Sequence, residues 1–158
     1  NLKVSQYNFK TITIMENSRI EEVEIERFNS LRLRAISFAV WFLGLILIQL
    51  PLNNLVLATI GIISALFCLS FIYATFKTTN VFKKIKKDST LNQALMNEMY
   101  LSFDYKAVCT GFYSTMFFVM LLFIVSNFME IPGKIICMSV IYIQVVSTDL
   151  RRLFLYKQ

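Results

Sequence analysis

The chain contains no histidine. That absence removes the commonest general base, the Ser–His and Cys–His nucleophile pairs, and most zinc sites. Glycine is scarce too: Gly44, Gly61, Gly111 and Gly133 stand far apart, so no glycine-rich loop can cradle a phosphate. The three cysteines, Cys68, Cys109 and Cys137, sit singly in apolar stretches without CxxC spacing. They read as small buried hydrophobes and say nothing about the redox compartment. Both prolines, Pro51 and Pro132, fall between long apolar runs rather than inside them. The last scarcity is of charge. Residues 35–76, 42 in a row, carry no charged side chain.

A helix needs roughly 20 apolar residues to cross a ~30 Å hydrocarbon core, so the charge-free stretch is long enough for two spans. Pro51-Leu52-Asn53-Asn54 supplies turn chemistry near its middle. A helix over 35–50, a turn, and a helix over 55–76 form one transmembrane hairpin. A second hairpin is expected over 107–156, with apolar runs at 107–129 and 135–148 joined by Glu130-Ile131-Pro132-Gly133-Lys134. The final run is short for a span. It suffices if the helix continues through Leu150 and 153–156, with the charged groups of Asp149, Arg151 and Arg152 reaching the headgroups; a re-entrant or interfacial fourth segment is the alternative. The expected fold is therefore all-α, a polytopic membrane protein of four transmembrane helices in two hairpins. At 158 residues, 56% of them hydrophobic, little chain remains for a soluble domain.

Three segments lie outside the hairpins. Residues 1–17 show weak alternation at Phe9, Ile12 and Ile14 and are expected as a short strand or disordered. The first methionine is Met15, which makes 1–14 a candidate non-native leader and Met15-Glu16-Asn17-Ser18 a candidate start. Residues 18–34 form an amphipathic helix opened by the capping box Ser18-x-x-Glu21. Its acids, Glu21, Glu22, Glu24 and Glu26, precede Arg27, Arg32 and Arg34, an order that complements the helix dipole. Ile20, Val23 and Leu31, with Phe28 near the same side, make its apolar stripe. Those acids are either a solvated face or a docking surface for a partner. Residues 77–106 comprise a basic loop and a helical stalk. Thr90-x-x-Gln93 caps the stalk, and Leu91, Leu95, Met99 and Phe103 recur every four residues. No proline or glycine interrupts it before the third span, so one unbroken helix of about 60 Å is expected.

Basic residues cluster on one side of this layout. Lys77, Lys83, Lys84, Lys86 and Lys87 arrive within eleven residues, and Arg27, Arg32, Arg34, Lys106, Arg151, Arg152 and Lys157 flank the same ends of the spans. The positive-inside rule then puts both termini and the stalk in the cytoplasm. The cluster is first a topology signal and second an attraction to anionic lipid headgroups. It has no aromatic interleaving, so the net charge of +6 points to no nucleic acid.

Within the spans, Ala58, Gly61, Ala65 and Cys68 share one face of the second helix, and Ala107, Gly111 and Thr115 form a small-residue ladder on the third. Such ladders allow close helix contact, here expected between these two helices or at a subunit seam. Gln144, Ser147 and Thr148 lie on one face of the fourth helix and are read as interhelical hydrogen-bonding groups or as a pore-lining stripe. No ionisable residue lies near a bilayer centre, which argues against proton-coupled transport and voltage sensing but leaves a passive pore open.

Three functional classes follow. One is a homo-oligomeric pore or membrane-perturbing effector, governed through its cytosolic helices by a soluble partner protein or small ligand. Effectors of this kind act in bacterial stress or phage defence, and the low-glycine, Lys/Ile/Phe-rich style suits a bacterial inner membrane. The second is a non-catalytic membrane anchor that recruits a soluble cytosolic partner. The third, a membrane enzyme or small transporter, would have to draw on Asp149, Glu130, Tyr142 or the cysteines, which form no known constellation. The first is preferred, the chain being read as non-enzymatic with no cofactor and the lipid bilayer as its environment.

Overall fold

The computed structural model describes the backbone of residues 2–96 and 98–157 and the side chains of 18–96 and 99–157. It contains five helices: α1 Leu2–Leu47, α2 Asn54–Lys87, α3 Ser89–Leu95, α4 Glu98–Ser126 and α5 Gly133–Tyr156. No strand occurs among the described residues. Four helices (α1, α2, α4 and α5) are long and apolar enough to cross a membrane. The protein is a multi-pass membrane protein with an all-α fold.

The two hairpins form where the turn chemistry predicts. After α1 ends, the chain passes Pro51, and Asn53 caps α2 in extended backbone, its side chain accepting from the Leu55 N–H at 3.1 Å. Between α4 and α5 the chain runs through Pro132, whose missing N–H costs nothing at a helix start. The fourth apolar run is one helix of 24 residues continuing past Asp149, Arg151 and Arg152 to Tyr156, long and apolar enough to cross a membrane. Cys68 and Cys109 are half-buried and Cys137 is exposed, so none is a fully buried hydrophobe.

The order of packing departs from expectation. α2 packs on α1, α4 packs on α5, and α1 and α5 join the two pairs, while α2 and α4 share no substantial interface. The result is an open row, α2–α1–α5–α4. The expected contact between the small faces of the second and third spans is therefore absent. Ala58 and Ala65 are exposed, and a Cβ added at Gly61 would meet nothing within 4 Å. The close approach in the first hairpin is instead at Gly44, where an added Cβ would lie 2.9 Å from the Ser64 Cβ. Ser64 donates to the Trp41 carbonyl at 3.0 Å across that crossing. Phe38, Trp41 and Phe71 stack beside it, with Trp41 and Phe71 centroids 5.4 Å apart. In the second hairpin the ladder Ala107, Gly111, Thr115 does what ladders do, but against α5: a Cβ on Gly111 would lie 2.0 Å from the Thr148 Oγ1 and 3.0 Å from the Gln144 carbonyl oxygen. Phe42 of α1 stacks on Tyr142 of α5 at 6.4 Å and helps join the pairs.

At the basic end the helices extend beyond the apolar row. α1 runs 46 residues, about 69 Å at 1.5 Å per residue. Its backbone is helical through 2–17, where a strand or disorder was expected, so Ser18 lies inside a helix and its capping-box role does not arise. α2 likewise continues to Lys87, placing Lys77, Lys83, Lys84, Lys86 and Lys87 on a helix instead of in a loop. These extensions and α3 bury Val23, Val81, Ile85, Leu91 and Leu95 together, with Ile20, Ala94, Met96 and Tyr100 around them.

The expected unbroken stalk is two helices. α3 is capped not by Thr90 but by Asp88, whose carboxylate accepts from the Thr90 N–H at 3.1 Å, the Thr90 hydroxyl at 2.7 Å and the Leu91 N–H at 3.4 Å. Arg19 pairs with the same carboxylate at 2.9 Å. The helix stops at Met96, which leaves helical backbone without any proline or glycine, and α4 starts at Glu98. The Leu95 carbonyl freed by the break accepts from the Arg27 Nη1 at 2.8 Å. Tertiary packing, not local propensity, breaks this helix.

Candidate functional site: a polar belt across the basic end

The stripe of α1 that faces its neighbours reads Val23, Arg27, Leu31, Ala35 at intervals of four, all buried. Helical periodicity thus carries a guanidinium into the interior, where Arg27 is 2% exposed. Burying a cation costs several kcal/mol unless partners replace water. Here the replacements are the Leu95 carbonyl and two aromatic faces, Tyr100 at 4.2 Å and Tyr156 at 4.9 Å from the guanidinium carbon. A desolvated cation–π contact is worth roughly 2 kcal/mol. Both tyrosines are held by carboxylates: Tyr100 donates to Glu24, and Tyr156 donates to Asp104 at 2.9 Å. The Arg27 Nε has no hydrogen-bond partner among the described residues.

A second set lies about two turns nearer the apolar row, Arg34 seven residues beyond Arg27 on α1 and Asp149 seven before Tyr156 on α5. Asp149, 7% exposed, accepts from Arg34 at 3.0 Å and from Arg152 at 3.2 Å. Arg152 also pairs with Asp104 at 2.8 Å. The two sets share Asp104, so the belt runs from α1 through α5 to α4. Three guanidinium groups (Arg27, Arg34, Arg152) meet three carboxylates (Glu24, Asp104, Asp149), and their formal charges cancel. Cancellation lets ionised groups sit beside apolar spans, where an unpaired one would be costly. The side chains of Arg34, Asp149 and Arg152 are 25%, 10% and 20% exposed, which places them between surface pairs of little worth and fully buried ones. No protein-family model, curated protein or solved structure matches the chain.

The residues singled out from sequence divide between this belt and other surfaces. Arg152 is in the belt, and Arg151 lies beside it with its guanidinium over Phe154. Glu24 is the acid held by Tyr100, and Glu26 pairs with Lys84 at 3.6 Å, so half of the acidic face serves the fold. Glu21 and Glu22 remain exposed. Lys83, Lys86 and Lys87 are exposed on α2.

Gln144, Ser147 and Thr148 turn toward α4 or their own helix. The Thr115 hydroxyl is 2.6 Å from the Gln144 amide and 2.8 Å from the Gly111 carbonyl. One hydroxyl proton cannot serve both; donation to the carbonyl, with the Gln144 amide turned to donate to Thr115, satisfies all three groups. Thr148 donates back to the Gln144 carbonyl at 2.7 Å, and Ser147 to the Ile143 carbonyl. Sequence reasoning missed Arg27, Arg34, Asp104, Tyr100 and Tyr156. For Arg27 the signal was available: it falls in phase with Val23 and Leu31.

Proposed function

We propose that the chain is a non-catalytic, homo-oligomeric membrane effector of the pore-like or membrane-perturbing kind, governed by its cytosolic helices, in a bacterial stress or defence setting. The observation that carries this reading is the open row. Four helices in a line enclose no conduit, and Gln144, Ser147 and Thr148 of α5 are engaged with α4 or with their own helix, so a pathway must form between copies. The faces of α2 and α4 that a closed bundle would cover are left outward, including Ala58, Gly61 and Ala65. The polar belt supplies the coupling: a signal received by α1 or α3 reaches the α4–α5 hairpin through Arg27, Asp104 and Asp149.

The test is native mass spectrometry of the detergent-solubilised protein, paired with dye or ion flux from liposomes. A discrete ring that conducts is expected, and Gly61→Leu is expected to weaken both assembly and flux. A monomer that leaves liposomes tight would refute the reading.

A second reading, a membrane anchor for a soluble partner, draws on exposed Glu21 and Glu22, with Glu21 on the rim of a cleft lined by Glu24, Ile25, Phe28, Tyr156 and Lys157. Under it, a soluble protein co-purifies at fixed stoichiometry, and Glu21→Gln with Glu22→Gln releases it.

A further inference from the structure

The lysines at the end of α2 are not equivalent. Lys84 is paired with Glu26 at 3.6 Å and belongs to the α1–α2 contact. Lys83 is exposed and has no ion-pair partner among the described residues. It stands at the head of a groove on the surface of α2 lined by Phe71, Ile72, Thr75, Phe76, Thr79, Asn80 and Lys83.

The groove changes character along its length. Its lower part is apolar: Ile72 is 46% exposed and Phe76 is 68% exposed, both within the charge-free span. Its upper part is polar and lies just beyond that span. Seven residues separate Phe76 from Lys83, about 10 Å of helix, which matches the step from hydrocarbon into headgroups. The threonines between them are not free donors. Thr75 donates to the Phe71 carbonyl at 2.8 Å and Thr79 to the Thr75 carbonyl at 2.9 Å, so neither hydroxyl has a proton left for a ligand. The free donors are the Asn80 amide and the Lys83 ammonium. No carboxylate lines the groove.

We infer that this groove is a binding site for one anionic glycerophospholipid, its acyl chain along Phe71, Ile72 and Phe76 and its phosphate at Asn80 and Lys83. The juxtaposition of an apolar wall with two unengaged donors at headgroup height matches such a lipid in shape and charge. Excess basic charge alone would attract anionic lipid to every lysine near the surface. A site favours one of them.

That difference makes the inference testable. The full chain is reconstituted in nanodiscs of equal phosphatidylglycerol and phosphatidylcholine, and lipids retained after release are counted by native mass spectrometry. Phosphatidylglycerol adducts are expected to exceed phosphatidylcholine adducts, and Lys83→Gln to reduce the excess about fivefold, the weight of one lysine near an anionic surface. Asn80→Ala lowers the excess too. Lys106→Gln removes the same charge from α4 at the same end and lowers the excess less than Lys83→Gln does. Equal retention of the two lipids, or equal loss from Lys83→Gln and Lys106→Gln, overturns the site in favour of diffuse attraction. Because Lys83 is exposed and unpartnered, its substitution leaves the melting temperature unchanged, which separates loss of lipid from loss of fold.

Discussion

Two glycines with the same chemistry have different consequences because their neighbours differ. Gly111→Ala drives a Cβ to 2.0 Å from Thr148 and 3.0 Å from the Gln144 backbone. The α4–α5 hairpin must open, at a cost of about 1–3 kcal/mol that outweighs the ~1 kcal/mol gained from alanine's helix propensity. Thr148→Ala in the same chain is expected to restore part of the loss, since it removes the nearer obstacle. Gly61→Ala meets open space within the protomer and is expected to stabilise the protomer fold by up to about 1 kcal/mol. Denaturation followed by helix circular dichroism in mixed micelles checks all three. Arg27 is the other decisive residue. Arg27→Ala strands the Leu95 carbonyl and empties the space between two tyrosines, and is expected to cost about 2–4 kcal/mol. Arg27→Lys rescues little, because an ammonium cannot stack as a planar guanidinium does. The interior position of Arg27 was legible from its phase with Val23 and Leu31; its partners were not, since Leu95 and Tyr100 lie 68 and 73 residues away.

At the scale of elements, the break between α3 and α4 is the feature that local sequence conceals. Residues 91–106 hold neither proline nor glycine and repeat every four, yet the chain leaves the helix at Met96. The start of α3 is more local, and Asp88 sets it. Its carboxyl is held below the ordinary value chiefly by the Thr90 hydroxyl, with further lowering from the Leu91 and Thr90 N–H groups and Arg19, against a smaller opposing effect of desolvation. A depressed folded value means the cap contributes fully above the unfolded carboxyl value and is lost as pH falls through the folded one. Amide-exchange protection of α3, corrected for intrinsic rates, is therefore expected to hold from neutral pH down to about pH 4 and to fall below it. Asp88→Ala should show the weakened pattern at every pH.

For the whole molecule, the tie between hairpins is the quantity to measure. Asp149→Ala releases Arg34 and removes one of the two carboxylates that hold Arg152, which stays paired with Asp104, and is expected to cost about 2–3 kcal/mol after allowance for partial exposure. Spin labels on α1 and α5 should then move apart, while labels within either hairpin keep their distances. Sidedness has its own test in a chain whose native cysteines are replaced by alanine: Asn53→Cys is expected to react with an impermeant maleimide from outside intact cells, and Ser89→Cys only after permeabilisation. Hydropathy and turn residues alone determined the class, the four spans and both hairpins, because a bilayer admits few ways to satisfy a backbone over such lengths. Which helix packs on which was decided only in three dimensions. Small residues mark where close contact can occur, and Gly61 and Gly111 look alike in sequence. Only the row α2–α1–α5–α4, joined by Phe42, Tyr142 and the paired charges of Arg34 and Asp149, leaves one of them bare and covers the other.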